Sequence, residues 1–450
     1  MFFESLLRGI IGIALIFGIC YLFSNNRKAI NWRLVFSGLG LQAIFAILII
    51  KGEYLRSFFF PLGWPKDFFN FISSFFVVVL DFTREGALFV FGNLALSPGI
   101  ENSLGFFFAF QVLPTIIFFA SLMSILYYLG IMQWIVKGMA WVMAKIMGTS
   151  GAESLSCTAN IFVGQTEAPL MIKPFLSKLT NSELLTIMTG GMATIAGGVM
   201  AAYIQILGNS MALAKGIPLQ QAQLEFATHL LGASVLAAPA AMMLSKMIYP
   251  ETETPVTKGT VQVSVEKNGS NVVEAAASGA SDGLQLALNV GGMLIAFIAL
   301  IFMVNTMLEW VGAWVGVNEY LRQNFGQPLN LQLIFGMILQ WLAMGVGVPA
   351  EDALRFGGLI GTKIVLNEFV AYSELGSLMQ AKAFVHEKSS IMLTYALCGF
   401  ANFSSIAIQL GGLGVLAPER KSDLAKLGMR AVLCGSLATL LTATIAGILY

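Results

Sequence analysis

Most of this chain is organised as apolar runs of roughly 17 to 25 residues, the length at which an α-helix crosses the hydrocarbon core of a bilayer. Short segments between the runs hold nearly all of the charge. Eight runs stand out, at residues 9–23, 34–50, 107–130, 184–207, 230–247, 284–310, 391–415 and 431–449. In lipid a segment of this kind must close its own backbone hydrogen bonds, so it folds as helix. Composition agrees, with 57% of the 450 residues hydrophobic and only 11% charged, where a water-soluble protein spends about a quarter of its residues on charge. The expected fold is therefore an all-α polytopic membrane protein with eight transmembrane helices. A net charge of +1 offers no field for a nucleic-acid partner.

Basic residues cluster after the first run (Arg27, Lys28, Arg33), after the third (Lys137, Lys145) and before the last (Arg420, Lys421, Lys426, Arg430). The positive-inside rule puts all three clusters in the cytoplasm, and counting through eight spans leaves both termini outside. Residues 131–148 place Gln133, Lys137 and Lys145 at helical spacing opposite apolar positions, the pattern of an interfacial helix. Residues 66–82, aromatic-rich and bounded by Pro61, Pro65, Asp81 and Arg84, fit either an interfacial helix or a short tilted span. Residues 251–282 have the Thr, Ser, Gly and Asn content of a flexible cytoplasmic loop.

Two regions break the pattern in the same way. Between 152 and 179, two short apolar arms flank the polar tip Gly164, Gln165, Thr166 and Glu167. This is the form of a re-entrant hairpin, and such backbone is tolerated at membrane depth only where it is buried in protein or lines a cavity. The next run holds Gly190, Gly191, Thr194, Gly197 and Gly198, which weaken a helix near its middle. Further on, arms around Asn367 and Glu368 are followed by a run interrupted at Gly399, Asn402, Ser404 and Ser405. By the span count the first hairpin opens from the cytoplasm and the second from outside. Two opposed hairpins, each followed by a broken helix, form an inverted repeat, the architecture of secondary transporters that bind substrate between the repeats near the midplane.

Glu167 and Glu368 sit at these tips, although a carboxylate at membrane depth costs about 2.5 to 3.5 kcal/mol on insertion scales. With the neighbouring amides Gln165 and Asn367 they can hydrogen-bond a neutral polyhydroxylated solute, while half-helix ends and freed carbonyls can hold a small cation. The alternative is that each Glu is pinned by a helix N-terminus or by a Lys such as Lys173 or Lys363. His229 and His386 fit interfacial positions better than a proton relay. There is no Walker spacing for an ATP-driven pump and no DDxxD cluster for a membrane-embedded enzyme acting on a lipid-linked nucleotide, so the expectation is a transporter and not an enzyme.

The segments 164–170 (GQTEAPL), 284–296 (LQLALNVGGMLIA), 367–372 (NEFVAY) and 399–408 (GFANFSSIAI) together resemble the concentrative nucleoside transporters, in particular the bacterial cation-coupled members. The likeness runs from residue 24 to residue 418. It implies a homotrimer in the bacterial cytoplasmic (inner) membrane, surrounded by lipid, taking up nucleosides such as uridine with sodium as the co-transported ion. By this resemblance Gln165, Thr166 and Glu167 contact the base, Glu368, Asn402 and Ser405 hold the ribose, and Phe400 lies beside the ring. Sodium is implied at the Asn160 side chain, the Val163 and Ile195 carbonyls and the Thr194 hydroxyl, where relatives carry Ser in place of Thr194. The division implied is N-terminal scaffold spans over 1–130, an interfacial helix at 131–148, a first transport-domain unit at 149–210, a scaffold span at 228–250, the cytoplasmic polar loop 251–282, a scaffold span at 283–312, a second transport-domain unit at 331–415 and a C-terminal span at 428–450. A proton-coupled symporter of the same fold is the nearest rival, ahead of a membrane enzyme or a passive channel.

Overall fold

The computed structural model describes residues 2–97, 100–260 and 270–450. These form α1 (Phe2–Leu22), α2 (Trp32–Ile50), α3 (Gly52–Phe58), α4 (Trp64–Phe91), α5 (Phe108–Gln111), α6 (Leu113–Tyr128) and α7 (Ile131–Met147). The first hairpin is α8 (Gly151–Ala159), a tip, and a 3-10 arm (Ala168–Lys178), and α9 (Asn181–Ala193) and α10 (Gly197–Lys215) follow it. Next come α11 (Leu219–Ile248), α12 (Val272–Val315), α13 (Asn318–Phe325) and α14 (Leu331–Gly345). The second hairpin is α15 (Ala350–Val365) with α16 (Glu368–Gln380), followed by α17 (Glu387–Ala396), α18 (Phe403–Leu416) and α19 (Lys421–Leu449).

Among the described residues, seven helical stretches are long and apolar enough to cross a membrane: α1, α2, α5 with α6, α9 with α10, α11, α12 and α19. The eighth expected span, 391–415, is the broken pair α17 and α18, neither half long enough alone. Both forecast breaks are present. In the first, Thr194 and Ala196 take extended backbone angles, and the Thr194 hydroxyl donates to the Gly190 carbonyl, drawing the chain out of the helix.

The inner helices are those rich in small residues. In the most apolar stretch of α11, 94% of positions are buried, against 22% in α12, because the Ala, Gly and Ser of α11 let α2, α4, α9, α10 and α19 approach it. The sequence division lists 228–250 as a scaffold span; in the structure α11 is buried and packs on α9 and α10, which follow the first hairpin, and on α19. The outer pair is α6 and α12, joined where Gly279 and Gly283 face Ala120, Ser121 and Ile117 too closely for a Cβ.

Three segments differ from the sequence expectations. Residues 66–82, left open between an interfacial helix and a short span, lie within one helix of 28 residues, Trp64–Phe91. The polar stretch 251–282 is not loop throughout: α12 starts at Val272, with Asn271 capping it through the Glu274 N–H. Its beginning is also ordered, since Thr257 accepts from the Gly151 and Ala152 N–H groups at the start of α8; residues 261–269 lie outside the described residues. Finally, α14 is an additional helix before the second hairpin, folded back on α15 with a 120° bend.

Buried carboxylates fasten the bases of both hairpins. Ser150 and Thr180 begin α8 and α9 with capping boxes completed by Glu153 and Glu183, and the Ser150 hydroxyl also donates to Glu183. Lys246 of α11 lies between Glu153 (2.8 Å) and Glu251 (3.1 Å) and donates to Ser182. At the second hairpin Asp352 accepts from the Val385 and His386 N–H groups and the Ser389 hydroxyl, tying the start of α15 to the start of α17. Lys246→Met strands Glu153 as a buried charge without its cation, a change that costs about 3 to 5 kcal/mol. Thermal unfolding in detergent is expected to shift down accordingly, and adding Glu153→Gln to that variant is expected to recover part of the loss.

Candidate functional site

The two helix breaks meet back to back. Gly399, at φ +144°, lies against the Met192 and Ala193 carbonyl groups at 2.7 to 2.8 Å from where a Cβ would stand. Only glycine takes that angle freely and leaves that space. The first hairpin tip closes on the same place, with the Gly197 N–H donating to the Phe162 carbonyl across the α9–α10 break. Two half-helices also present their N-termini here. Asn367 caps α16 through the Val370 N–H, and Asn402 caps α18 through the Ser405 N–H.

A continuous chain of buried polar groups links the two repeats. Glu368, the first residue of α16, accepts from the Tyr203 hydroxyl at 3.1 Å and from the Asn402 amide at 2.9 Å. Asn402 in turn accepts from the Ser404 hydroxyl. Ser405 accepts from the Gln165 amide at 3.3 Å, and the Gln165 oxygen accepts from Gln409, whose nitrogen also donates to the Met188 carbonyl. Of the two explanations for a buried Glu368, the helix N-terminus is the one observed; Lys363 instead donates to the Ala396 carbonyl and the Thr439 hydroxyl. Tyr203 is held by ring contacts with Tyr372 and Phe369, at centroid distances of 4.3 and 4.7 Å.

The structure thus brings Gln165, Glu368, Asn402 and Ser405 together, but Glu167 points elsewhere. Its carboxylate folds back on the Gly164 N–H at 2.9 Å and faces a cavity of about 210 Å³ that Tyr127, Gln133 and Asp282 also line. Thr166 packs against Gly412 of α18, and Phe400 is half-buried at the edge of the core. His229, expected at an interface, is buried between the Tyr395 and Tyr450 hydroxyls, 3.2 Å from each.

The residues implied for a cation also gather at the first break. Asn160, at the C-terminus of α8, uses its amide nitrogen on the Ser156 carbonyl, whereas its side-chain oxygen is buried without a hydrogen-bond partner among the described residues. Such an oxygen is costly unless something electropositive reaches it. The Thr194 hydroxyl spends its proton on Gly190, leaving its lone pairs for a cation, and Val163 and Ile195 are buried in the two segments that close on each other. An oxygen-only set of this kind suits a hard monovalent ion better than a transition metal.

Sequence reasoning missed Tyr203 and Gln409. A signal existed for Gln409: Asn402, Ser405 and Gln409 follow at i, i+3 and i+7, one face of a helix. Tyr203 carries no comparable pattern, being a lone tyrosine in an apolar span.

Three family models match in succession. They are described as "Na+ dependent nucleoside transporter N-terminus" over residues 11–94, "Nucleoside recognition" over 109–210 and "Na+ dependent nucleoside transporter C-terminus" over 229–447. An uncharacterized transporter of Haemophilus influenzae is 45% identical, over 99% of this chain and 98% of its own length. Sodium/nucleoside cotransporter 1 of Rattus norvegicus is 40% identical over 98% of this chain and 63% of its own. The solved structure of CNTnw in an inward-facing substrate-bound state is 39% identical with a TM-score of 0.84, covering 99% of this chain and 98% of that one. The chain belongs to the concentrative nucleoside transporter family. It is an integral membrane transporter and not an enzyme, with the all-α fold of paired hairpins and broken helices expected from its sequence.

Tyr203→Phe removes one of the two side-chain donors to Glu368 and Gln409→Leu releases Gln165; a hydrogen bond to a charged group is worth about 1.5 to 3 kcal/mol. Nucleoside binding to the purified transporter, measured by calorimetry, is expected to weaken about tenfold or more for Tyr203→Phe and less for Gln409→Leu, whose lost contacts are between neutral groups.

Proposed function

We propose that the chain is a sodium-coupled nucleoside symporter that takes up its substrate by alternating access. The observation that carries this reading is the polar chain from Gln165 through Ser405 and Asn402 to Glu368, which joins both repeats beside the bare oxygen of Asn160. A nucleoside suits such a site because it is neutral, with ribose hydroxyls that donate to a carboxylate and a base edge that pairs with an amide. Glu368, Asn402 and Ser405 hold the ribose, Gln165 and Thr166 read the base, Phe400 covers the ring, and Glu167 turns from Gly164 to the base when substrate arrives.

Sodium at Asn160, Val163, Thr194 and Ile195 ties the first hairpin tip to the α9–α10 break. Since Gln165 is on that tip, an occupied ion site fixes one wall of the substrate site. Linkage makes the effect reciprocal: whatever factor sodium adds to nucleoside affinity, nucleoside adds to sodium affinity. The inward sodium gradient then drives accumulation. The hairpins and inner helices travel as the transport body, α6 and α12 belong to the static scaffold of a homotrimer, and the chain resides in the bacterial inner membrane with both termini outside.

In proteoliposomes an inward sodium gradient is expected to concentrate labelled uridine, while an inward proton gradient without sodium is not. Accumulation that follows the proton gradient and ignores sodium overturns the ion assignment. Glu368→Gln and Glu167→Gln are expected to abolish uptake in protein that still elutes as a trimer. Asn160→Ala is expected to raise the sodium concentration for half-maximal uptake about tenfold, the effect of roughly 1.4 kcal/mol.

A further inference from the structure

Lys363 is a fully buried lysine, and the polar chain of the site does not include it. It stands on the last turn of α15. Its ammonium donates to the Ala396 carbonyl at 2.9 Å and to the Thr439 hydroxyl at 3.1 Å. Ala396 is the last residue of α17, so its carbonyl is one of those that a helix leaves open at its C-terminus, where the peptide dipoles gather partial negative charge. An ammonium held there, five residues before Glu368 on the same hairpin, is a fixed positive charge behind the site.

The first repeat has the same construction without the lysine. Its hairpin arm α8 ends at Asn160 and packs on the last turn of α9, with Gly190 against Cys157 and Gly191 against Gln165. There the arm offers a bare oxygen: the Asn160 side-chain oxygen is buried and has no partner among the described residues, and α8 contains no basic residue. In both repeats, then, the end of a hairpin's first arm meets the C-terminus of the next half-helix. One junction offers oxygens to a cation; the other already contains one.

We infer that Lys363 is the resident cation of the second repeat, its ammonium filling the junction that in the first repeat is left for sodium, so that each nucleoside is carried with one ion from solution and not two. This rests on the sodium-coupled reading above. Lys363 is a positioning residue: it touches no substrate atom, but it closes the end of α17 and sets a positive charge on the same hairpin as Glu368, adding to the helix N-terminus that Glu368 occupies.

The wild-type protein supplies the first test. In proteoliposomes, the voltage that stops net uridine flux at fixed sodium and uridine gradients gives the charge moved per uridine. One charge is expected; two means that the second junction takes its own sodium, and overturns the proposal. The second test measures uridine binding against sodium concentration in wild type, Lys363→Met and Lys363→Arg. The wild-type Hill coefficient for sodium is expected near 1. Lys363→Met is expected to bind uridine at least tenfold more weakly with a coefficient rising toward 2, as an ion enters the emptied junction, whereas Lys363→Arg stays within about threefold of wild type with a coefficient near 1. A Lys363→Met protein that elutes normally and matches wild type in affinity and sodium slope overturns the proposal; a general loss of packing lowers affinity without changing that slope. If Lys363→Met does not fold, the wild-type charge ratio decides. If wild-type uptake proves independent of sodium, the ion assignment falls, and the Met and Arg affinities still decide whether Lys363 acts as a fixed charge.

Discussion

A helix that stops inside an apolar body leaves backbone donors and acceptors that nothing around it can satisfy, and this structure has several such ends in one place. The chain closes each with whatever its sequence supplies. Phe162 reaches Gly197 across the first break, Lys363 reaches the end of α17, and Asn367 and Asn402 cap the two half-helices that start there. What remains open after these closures is a short inventory of oriented polar groups in a dry setting, where each is worth more than in water. The site is the residue of that process: Glu368 is tolerable because a helix starts at it, and Asn402 is available to it because Asn402 is already fixed as a cap.

The fastening of the hairpin bases follows the same logic one layer out. Glu183 takes the Ser150 hydroxyl from the start of α8, and Asp352 takes two backbone N–H groups and a hydroxyl from the start of α17. In each repeat the hairpin and the broken helix after it are joined at the base. The ordered start of the polar segment, with Thr257 on α8 and Glu251 on Lys246, adds to that fixation on the first repeat alone.

Much of this was legible before any coordinates. Apolar run length gave the spans, and glycine content with Thr194 and Asn402 located the breaks; the S-x-x-E and T-x-x-E patterns at Ser150 and Thr180, signatures of helix starts, went unread. The illegible parts share a cause. Whether α11 lies inside or outside depends on which helices approach its small residues, and run length does not encode that. The direction of Glu167 depends on a single backbone N–H, at Gly164, that competes for its carboxylate. The polar opening of α12 reads as loop because its composition is soluble in character, yet an Asn271 cap and the support of α6 carry the helix through it.

That long helix has one more implication. At 1.5 Å per residue, the 44 residues of α12 extend about 66 Å, while the hydrocarbon layer of a bilayer is about 30 Å thick. α6 accompanies only its first half, from Tyr128 beside Ser270 to Leu113 beside Gly291. Beyond that point Ile295, Phe302 and Trp310 face outward from a rod whose backbone is already closed on itself. Water is a poor solvent for such a surface, so acyl chains or another protein wall must wet it, and the far half of α12 marks where this protein stops supplying its own surroundings.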